Sequence, residues 1–309
     1  MKANRVHHFG SPEVISFEDI DPPEPGDREV VVRVSAAGVG PWDSWVRSGK
    51  SVLPQPLPLT LGSDLSGTIV ALGARVRGFQ IGQEVYGVTN PRFTGAYAEY
   101  AAAHASMIAS KPRRASDVEA AALPVGAVTA LQMLLHARVR SGQRVLIHGA
   151  GGNVGALALQ LALASGAHVT GTDLKQGIEY ARSVGGNDLI DVQSTRFETV
   201  TEPVDVVIDT VGGDAQARSF AVLKPGGHLV SSVSKPAPEL AAKAGVSANF
   251  LLVDVTSEAL AKIAALVDAG SLKSRLGAVL PLAEARKAHE MLDGLVPRPP
   301  GKLVLEVRS

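Results

Sequence analysis

The sequence predicts an α/β protein of two domains, one rich in β-strands and one built on a doubly wound parallel sheet. Three observations carry this prediction. A strand, a glycine-rich turn, a helix and a second strand follow one another over residues 144–173. Strand and helix patterns alternate over residues 117–256, an order typical of parallel sheets. Short strands separated by glycines occupy residues 1–116, as in a compact β-rich domain.

The individual elements follow from local patterns. In the amino-terminal part, the clearest strands are predicted over residues 14–20, 29–35, 66–72, 84–88 and 96–101. Ser116 is a predicted N-cap for a helix over residues 118–123. Beyond the glycine-rich turn, strands are predicted over residues 188–192, 204–210, 228–233 and 249–255, and helices over 179–184 and 215–222. Helices over residues 257–268 and 282–292 and a strand over 302–307 complete the chain.

The glycine-rich turn has the pattern A-x-G-x-x-G, formed by Ala150, Gly152 and Gly155. Asp173 ends the second strand, 18 residues after the last of these glycines. This layout indicates a dinucleotide site in which backbone N–H groups at the helix start hold the pyrophosphate. The alternative is an ordinary strand-to-helix turn. The residues predicted to form the turn site are Ala150, Gly151, Gly152, Asn153, Val154 and Gly155.

Composition excludes several classes of function. Lys plus Arg and Asp plus Glu each number 30, so no net charge favours nucleic acid or an anionic membrane. Cysteine is absent, which excludes disulfides, thiolate catalysis and cysteine-based zinc sites. The longest nearly apolar stretch, residues 155–166, is shorter than the roughly 20 residues of a membrane span, and residues 1–10 lack the apolar core of a signal peptide. We therefore expect a cytoplasmic protein without a nucleic-acid or membrane partner.

Several blocks, in this order and spacing, make the chain resemble the medium-chain dehydrogenase/reductase superfamily. Within that superfamily it is similar to the zinc-free quinone oxidoreductase, or zeta-crystallin-like, branch. The blocks are residues 37–43 (AGVGPWD), 82–87 (GQEVYG), 95–100 (GAYAEY), 123–130 (LPVGAVTA), 208–213 (IDTVGG), 223–227 (LKPGG) and 301–305 (GKLVL).

The resemblance implies both the domain plan and the activity. A GroES-like catalytic domain formed by residues 1–116 and 257–309 is expected to enclose a Rossmann dinucleotide-binding domain at 117–256, with the active site in the cleft. The expected activity is zinc-independent hydride transfer from NAD(P)H to a quinone-type acceptor. Two alternatives stay open: a reductase of activated alkenes (enones) that uses the same cofactor, and a non-catalytic crystallin-like or regulatory nucleotide-binding protein.

The resemblance allows the positions of the zinc ligands in zinc-dependent relatives to be compared with this chain one by one. Zinc-dependent relatives place a cysteine where this chain has Gly40, and a His-Glu pair where it has Ser63 and Asp64. The four-cysteine structural lobe is also missing. Because the soft and imidazole ligands of a tetrahedral site are absent from these positions, no metal is expected.

The resemblance also implies roles for individual residues. Thr129 is expected to bond the nicotinamide carboxamide, and the backbone at Ser232, Val233 and Leu252 to lie beside the ring. The acceptor is expected to meet the loop at residues 40–47. That loop holds the candidate catalytic residues Trp42, Asp43 and Trp45, although helix capping is the competing role for Asp43 and packing the competing role for both tryptophans.

Cofactor choice and assembly complete the expectations. Asp173 would accept hydrogen bonds from the adenosine ribose and repel a 2′-phosphate, whereas Lys175 could reach that phosphate. Family habit favours NADPH, but the local charge favours NADH, and we lean to NADH. The apolar run at residues 249–253 is the predicted edge strand of the parallel sheet, so we expect a homodimer with one continuous sheet.

Overall fold

The computed structural model describes residues 1–307 and divides the chain into two compact units. The first unit comprises Met1–Val125, Val255–Ala269 and the chain from Ser274 onward. The second unit comprises Gly126–Asp254 and Gly270–Lys273. The second unit is therefore an insertion in a first unit that is assembled from separate stretches of sequence.

The amino-terminal segment consists of short strands with two helices. Its elements are β1 (Lys2–Val6), β2 (Ile15–Asp19), β3 (Glu29–Val39), α1 (Pro41–Arg47), β4 (Leu59–Thr60), β5 (Asp64–Leu72), β6 (Glu84–Val88), β7 (Tyr100–His104), β8 (Ile108–Ser110) and α2 (Asp117–Ala121).

Strands and helices then alternate. The elements are α3 (Pro124–His136), β9 (Arg144–His148), α4 (Asn153–Ala164), β10 (His168–Asp173), α5 (Lys175–Ser183), β11 (Asp188–Asp191), β12 (Val204–Asp209), α6 (Gly213–Ser219), β13 (Leu223–Ser231), α7 (Pro238–Ala244), β14 (Ser247–Phe250), α8 (Ser257–Asp268), β15 (Leu276–Pro281), α9 (Ala285–Leu292) and β16 (Lys302–Glu306). Within residues 1–307, no helix has both the length and the apolar character needed to cross a bilayer.

The first unit is built on two sheets. A small sheet has the strand order β2-β1-β4, and a larger sheet has the order β15-β16-β3-β5-β6-β8, with β7 paired to β3. Alternating residues of β3 and its neighbours supply the core, in which Val32, Leu65, Ile69 and Leu303 are completely buried. Because β16 lies between β15 and β3, the last described strand of the chain is an interior strand of this sheet.

The second unit is one parallel sheet with the strand order β11-β10-β9-β12-β13-β14. Its central strands are buried apolar runs, as expected for strands covered on both faces, and Val145, Leu146 and Ile147 of β9 are completely buried. The order reverses between β9 and β12, which is the switch point where such sheets bind ligands at the carboxyl ends of their strands. The predicted doubly wound parallel sheet is confirmed.

Two predicted strands are misplaced. The strand predicted over residues 96–101 begins only at Tyr100, because the Ala96 and Tyr97 N–H groups donate to the carbonyls of Gly62 and Leu61 rather than to a regular ladder. The strand predicted over residues 249–255 is β14, which ends at Phe250. Its partner β13 ends at Ser231, which lies opposite Phe250. The last hydrogen bond between the two segments runs from the Leu251 N–H to the Ser231 carbonyl, at 2.8 Å.

The first division between the units falls after Val125 rather than after residue 116. Helix α2 belongs to the first unit because it packs on β3 and β5, and Ser66 Oγ of β5 donates to Asp117 Oδ1 at 2.8 Å. The predicted N-cap of this helix is in place, since the Ser116 hydroxyl accepts from the Glu119 N–H and the Glu119 carboxylate accepts from the Ser116 N–H.

Candidate active site

The turn between β9 and α4 is formed by glycines at positions with no room for a side chain. Gly149 has a φ of +73°, in the left-handed region that favours glycine. A Cβ on Gly155 would lie 2.0 Å from the Gly149 carbonyl oxygen, and a Cβ on Gly151 would lie 2.1 Å from the Gly177 carbonyl oxygen. The turn is therefore packed closely against neighbouring backbone, and Gly152 is its exposed residue.

Ala150 stands at the first position of the glycine pattern, and a second glycine accommodates it. Ala150 is completely buried, and a Cβ added to Gly171 on β10 would lie only 2.7 Å from the Ala150 methyl group. The methyl group therefore fills the space that Gly171 leaves empty. This pairing explains why the turn tolerates an alanine at this position.

Helix α4 begins at this turn with Gly152 as its N-cap. No side chain caps this end, and no acidic residue lies in the first turn. The backbone N–H groups of Asn153, Val154 and Gly155 therefore open the helix at the positive end of its dipole. These features fit the pyrophosphate of a dinucleotide.

Asp173 lies at the end of β10, beside the glycine turn. Its Oδ2 accepts from the Gly151 N–H at 2.7 Å, and its Oδ1 accepts from the Leu174 N–H at 2.7 Å. A Cβ on Gly177 would collide with this carboxylate, at 2.2 Å from Cγ. The Asp173 carboxylate is therefore held in one place by the turn and stays half-exposed.

The remaining predicted cofactor residues all belong to the second unit. Thr129 is buried on α3, and Lys175 is exposed at the start of α5. Ser232 and Val233 directly follow β13, and Leu252, with 66% of its surface exposed, follows β14. Their roles toward a cofactor stay predictions.

Asp209 is a residue of this region that the sequence did not single out. It ends β12, is completely buried, and its carboxylate accepts from Gln216 Nε2 and from Ser231 Oγ, each at 2.8 Å. The available signal was an acid at the end of a buried strand followed by two glycines, Gly212 and Gly213, both with positive φ.

The segment expected to be a substrate loop is instead helix α1. Gly40 is its N-cap and Pro41 its first residue, which is a favourable position for proline. Asp43 Oδ2 accepts from the Gly40 N–H at 2.8 Å and from the Tyr97 hydroxyl at 2.9 Å, and the residue is completely buried. Burial raises the pKa of Asp43 to about 7. Asp43 therefore caps and anchors α1, which was the competing role, and a role toward an acceptor stays a prediction.

The two tryptophans of α1 differ in their surroundings. Trp42 lies over Gly40, where a Cβ would be 2.4 Å from its ring, and Trp42 Nε1 donates to Ser63 Oγ at 3.0 Å. Trp45 has 49% of its surface exposed. Within the described first unit, Trp42 is thus fixed by its neighbours, and Trp45 is the more accessible aromatic face.

A buried ion pair lies beside Trp42. Lys302 Nζ is 2.7 Å from Asp64 Oδ2 and 4.3 Å from the centroid of the Trp42 ring, and both charged side chains are almost fully buried. Asp64 Oδ1 also accepts from the Val125 N–H at 3.2 Å. Burial raises the pKa of Asp64, and the Lys302 ammonium opposes that rise. No sequence pattern predicts this pair.

A second buried group that the sequence did not indicate anchors the carboxyl end of α1. Arg47 Nη2 pairs with Asp293 at 2.6 Å, its Nη1 lies 3.0 Å from His289 Nδ1, and its Nε donates to the Gly10 carbonyl at 3.1 Å. Helix α1 is therefore tied at both ends, which fixes the direction in which its tryptophans point.

The positions compared with zinc ligands hold Gly40, Ser63 and Asp64, and their neighbours are Trp42 and Lys302 rather than further ligands. Across residues 1–307, no three His, Asp or Glu side chains are grouped so that they could hold a metal ion. The donor set of a tetrahedral zinc site is thus missing from these positions.

Comparisons with known proteins agree with this fold. A family profile described as "Alcohol dehydrogenase GroES-like domain" matches residues 26–113, and one described as "Zinc-binding dehydrogenase" matches residues 184–305. Human quinone oxidoreductase is 32% identical over 308 residues, which cover 94% of this chain and 93% of that protein.

Two solved structures extend the similarity to three dimensions. The quinone oxidoreductase from Coxiella burnetii is 36% identical, covers 100% of this chain and 99% of its own, and superposes with a TM-score of 0.92. The Escherichia coli quinone oxidoreductase complexed with NADPH is 26% identical, covers 98% of this chain and 100% of its own, and has a TM-score of 0.86.

These matches, with the glycine turn and the parallel sheet, define an NAD(P)H-dependent oxidoreductase that acts on a small molecule. The chain belongs to the medium-chain dehydrogenase/reductase superfamily, in its zinc-free quinone oxidoreductase branch. The predicted family and the GroES-like character of the first unit are confirmed.

Proposed function

We propose that this protein reduces a quinone-type acceptor by zinc-independent hydride transfer from NAD(P)H. The observation that carries the proposal is the replacement of a metal-ligand set by Gly40, Ser63 and the Asp64–Lys302 ion pair. A quinone delocalises the incoming negative charge itself and so reacts without a Lewis acid. The bound nicotinamide supplies the hydride, and the protein aligns the reactants and excludes water.

The proposal assigns different work to the two units. In the second unit, the α4 N-terminus and glycine turn hold the pyrophosphate, Asp173 holds the adenosine ribose, and Thr129 holds the carboxamide. In the first unit, Trp42 and Trp45 offer aromatic faces to a flat acceptor. Asp43 acts as a positioning residue, because its buried carboxylate fixes the start of α1. The proton that completes reduction then comes from water or a ribose hydroxyl.

The test is NAD(P)H oxidation against a panel of quinones and enones, with direct measurement of cofactor binding. Quinone turnover supports the proposal. Turnover of enones alone assigns the chain to the alkene reductases instead. Saturable cofactor binding without turnover of either class overturns the enzymatic proposal in favour of a non-catalytic role.

A substitution of the exposed Trp45 tests whether this residue contacts the acceptor. Trp45→Ala is expected to raise KM for a quinone several-fold with little change in KM for the cofactor, because only the acceptor would stack on this ring. Phe17→Ala is the matched control, since Phe17 is an exposed aromatic residue on β2, 42% exposed against 49% for Trp45. Equal kinetics for the two variants would remove Trp45 from the acceptor site.

NADH is the proposed preferred cofactor. The Asp173 carboxylate is held beside the turn by two backbone N–H groups, so a 2′-phosphate at this place would meet its charge. A like-charge contact of about 1 kcal/mol corresponds to several-fold discrimination. In Asp173→Ser, the ratio of kcat/KM for NADH to that for NADPH is expected to fall several-fold.

Asp191→Ser is the control for this experiment. Asp191 pairs with Asp173 in the β10–β11 register and ends the neighbouring strand, one strand further from the glycine turn. Its replacement is expected to leave the cofactor ratio unchanged. A wild type that already prefers NADPH, with a ratio unaltered by Asp173→Ser, would show that Asp173 is not the selector.

A homodimer through the sheet edge is the proposed assembly. Strand β14 ends the parallel sheet, and no further strand within residues 1–307 pairs with its outer side. Light scattering is expected to give twice the 32.0 kDa of one chain. Phe250→Lys, which places a charge on this edge, is expected to shift the mass toward one chain. Val200→Lys, at another exposed apolar position of the second unit, should not, and a wild-type monomer at micromolar concentration contradicts the proposal.

A further inference from the structure

The loops after β12 and β13 converge on one buried carboxylate. Asp209 Oδ1 accepts from the backbone N–H groups of Val211 at 3.0 Å and Gly212 at 2.8 Å. Asp209 Oδ2 accepts from Gln216 Nε2 and Ser231 Oγ, each at 2.8 Å. All these donors belong to the second unit, and together they saturate a side chain with no exposed surface.

Two of the four donors connect the carboxylate to the loop that follows β13. Ser231 Oγ accepts from the N–H groups of Val233 at 3.2 Å and Ser234 at 3.3 Å. Gln216 Nε2 also donates to the Ser234 carbonyl at 3.2 Å. The backbone at residues 232–234 is therefore shaped by contacts that originate at Asp209.

Thr210, the residue after Asp209, contacts the end of β9, on the other side of the switch point. Thr210 Oγ1 donates to the His148 carbonyl at 2.7 Å, and a Cβ on Gly149 would lie 2.6 Å from this hydroxyl. The glycine turn after β9 thus rests on Thr210, whereas the loop after β13 depends on Asp209. One dipeptide at the end of β12 contacts both carboxyl-end loops.

We propose that Asp209 and Thr210 are positioning residues that fix the two ends of the cofactor site separately, Asp209 for the nicotinamide half and Thr210 for the pyrophosphate. A dinucleotide lies across the carboxyl ends of a doubly wound sheet, with its pyrophosphate at the first glycine turn and its second nucleotide along the other half of the sheet. The loop after β13 belongs to that other half. The inference rests on the proposed use of NAD(P)H by this unit.

The chemistry at Asp209 requires a carboxylate. All four partners are donors, and an ionised carboxylate accepts at both oxygens. Asn has nearly the same shape but presents an NH₂ group to at least one pair of donors, so Asp209→Asn leaves either the 211–212 backbone or the Gln216 and Ser231 side chains without an acceptor.

Binding of NADH and of ADP-ribose, which lacks the nicotinamide, tests the proposal by calorimetry. Asp209→Asn is expected to weaken NADH binding roughly tenfold, as for loss of one hydrogen bond to a charged group, and to leave ADP-ribose binding within about twofold. Thr210→Val is expected to weaken both ligands by a similar factor. Ser219→Ala is the control, because its hydroxyl is a buried hydrogen-bonding group of the same unit that contacts neither loop.

The outcomes separate this inference from the proposed function. If Asp209→Asn weakens the binding of NADH and of ADP-ribose equally, or weakens neither, the inference is wrong. If Asp209→Asn does not fold, Ser231→Ala removes one donor to Asp209 and the link to Val233 and Ser234 but keeps the carboxylate, and the same selective loss of NADH affinity is required. Wild-type binding of both ligands without quinone turnover contradicts the proposed function alone. A wild type that binds neither ligand overturns both.

Discussion

Replacing Lys302 by methionine is expected to destabilise the first unit by about 3–5 kcal/mol, the effect of leaving a buried charge without its partner. Lys302 and Asp64 have only 3% and 0% of their side-chain surfaces exposed, so water cannot replace the lost contact. Methionine keeps most of the length of the side chain and removes the ammonium. Denaturant unfolding followed by tryptophan emission measures the loss, since both tryptophans lie in this unit.

Lys2→Met is a close control. Lys2 also lies on a strand of the first unit, and its Nζ is also 2.7 Å from an aspartate, Asp19, but these side chains are 46% and 73% exposed. Its loss is expected to change the free energy of unfolding by less than about 1 kcal/mol. The double substitution Lys302→Met with Asp64→Leu should recover much of the loss, because it removes both charges. If the two single variants are equally stable, burial does not control the pair.

Mild acid is expected to destabilise the second unit and not the first. In the second unit, His148 is buried between Thr172 and Ser219, and burial lowers its pKa from 6.5 to about 4. Between these values the unfolded chain binds a proton that the folded unit refuses, so stability falls as pH falls below 6.5. The loss is about 2 kcal/mol at pH 5 relative to pH 7.

In the first unit, the buried His289 and Asp43 change the stability in opposite directions as the pH falls. Burial, aided by Arg47, lowers the pKa of His289 to about 3, so acid destabilises this unit through His289. Burial raises the pKa of Asp43 from 3.8 to about 7. Between these two pH values the folded unit keeps a proton that the unfolded chain has released, so acid stabilises the unit through Asp43. Each effect is about 2 kcal/mol at pH 5, so these two nearly cancel, and the raised pKa of the buried Asp64 adds to the stabilising side.

The measurement is denaturant unfolding at pH 7 and pH 5, followed by circular dichroism for both units and by tryptophan emission for the first. His148→Gln is expected to remove the acid sensitivity of the second unit. His168→Gln, at an exposed histidine of the same unit, should keep it. Equal acid sensitivity in wild type and His148→Gln would show that other groups titrate in its place.

Local signals predicted the second unit well. The glycine turn, the helix after it and the aspartate at the end of β10 all lie within residues 144–173. In the first unit, helix α8 also has the predicted bounds. These features depend on propensity, capping and glycine geometry, which a short stretch of sequence encodes. The sequence does not predict helix α1, because its seven residues, which follow Gly40 and begin with Pro41, are too few to show a helical period.

The buried polar contacts could not be read from the sequence. Asp64 and Lys302 are separated by 238 positions, and Asp209 and Ser231 by 22. Each residue alone has the pattern of an ordinary strand end, and only the pairing of distant strands brings the partners together. Burial then decides their chemistry, since the exposed Lys2 and the buried Lys302 are the same residue type at the same distance from an aspartate.

The position of β16 inside the larger sheet, between β15 and β3, determines the order in which the two units can be completed during synthesis. The second unit has all of its sequence once residue 273 has emerged from the ribosome. The first unit begins earlier but lacks the strand between β15 and β3 until residues 302–306 are made. The amino-terminal strands therefore wait with residues 36–39 of β3 unpaired on the side that β16 will cover, while β7 covers residues 29–33 and the inserted unit folds.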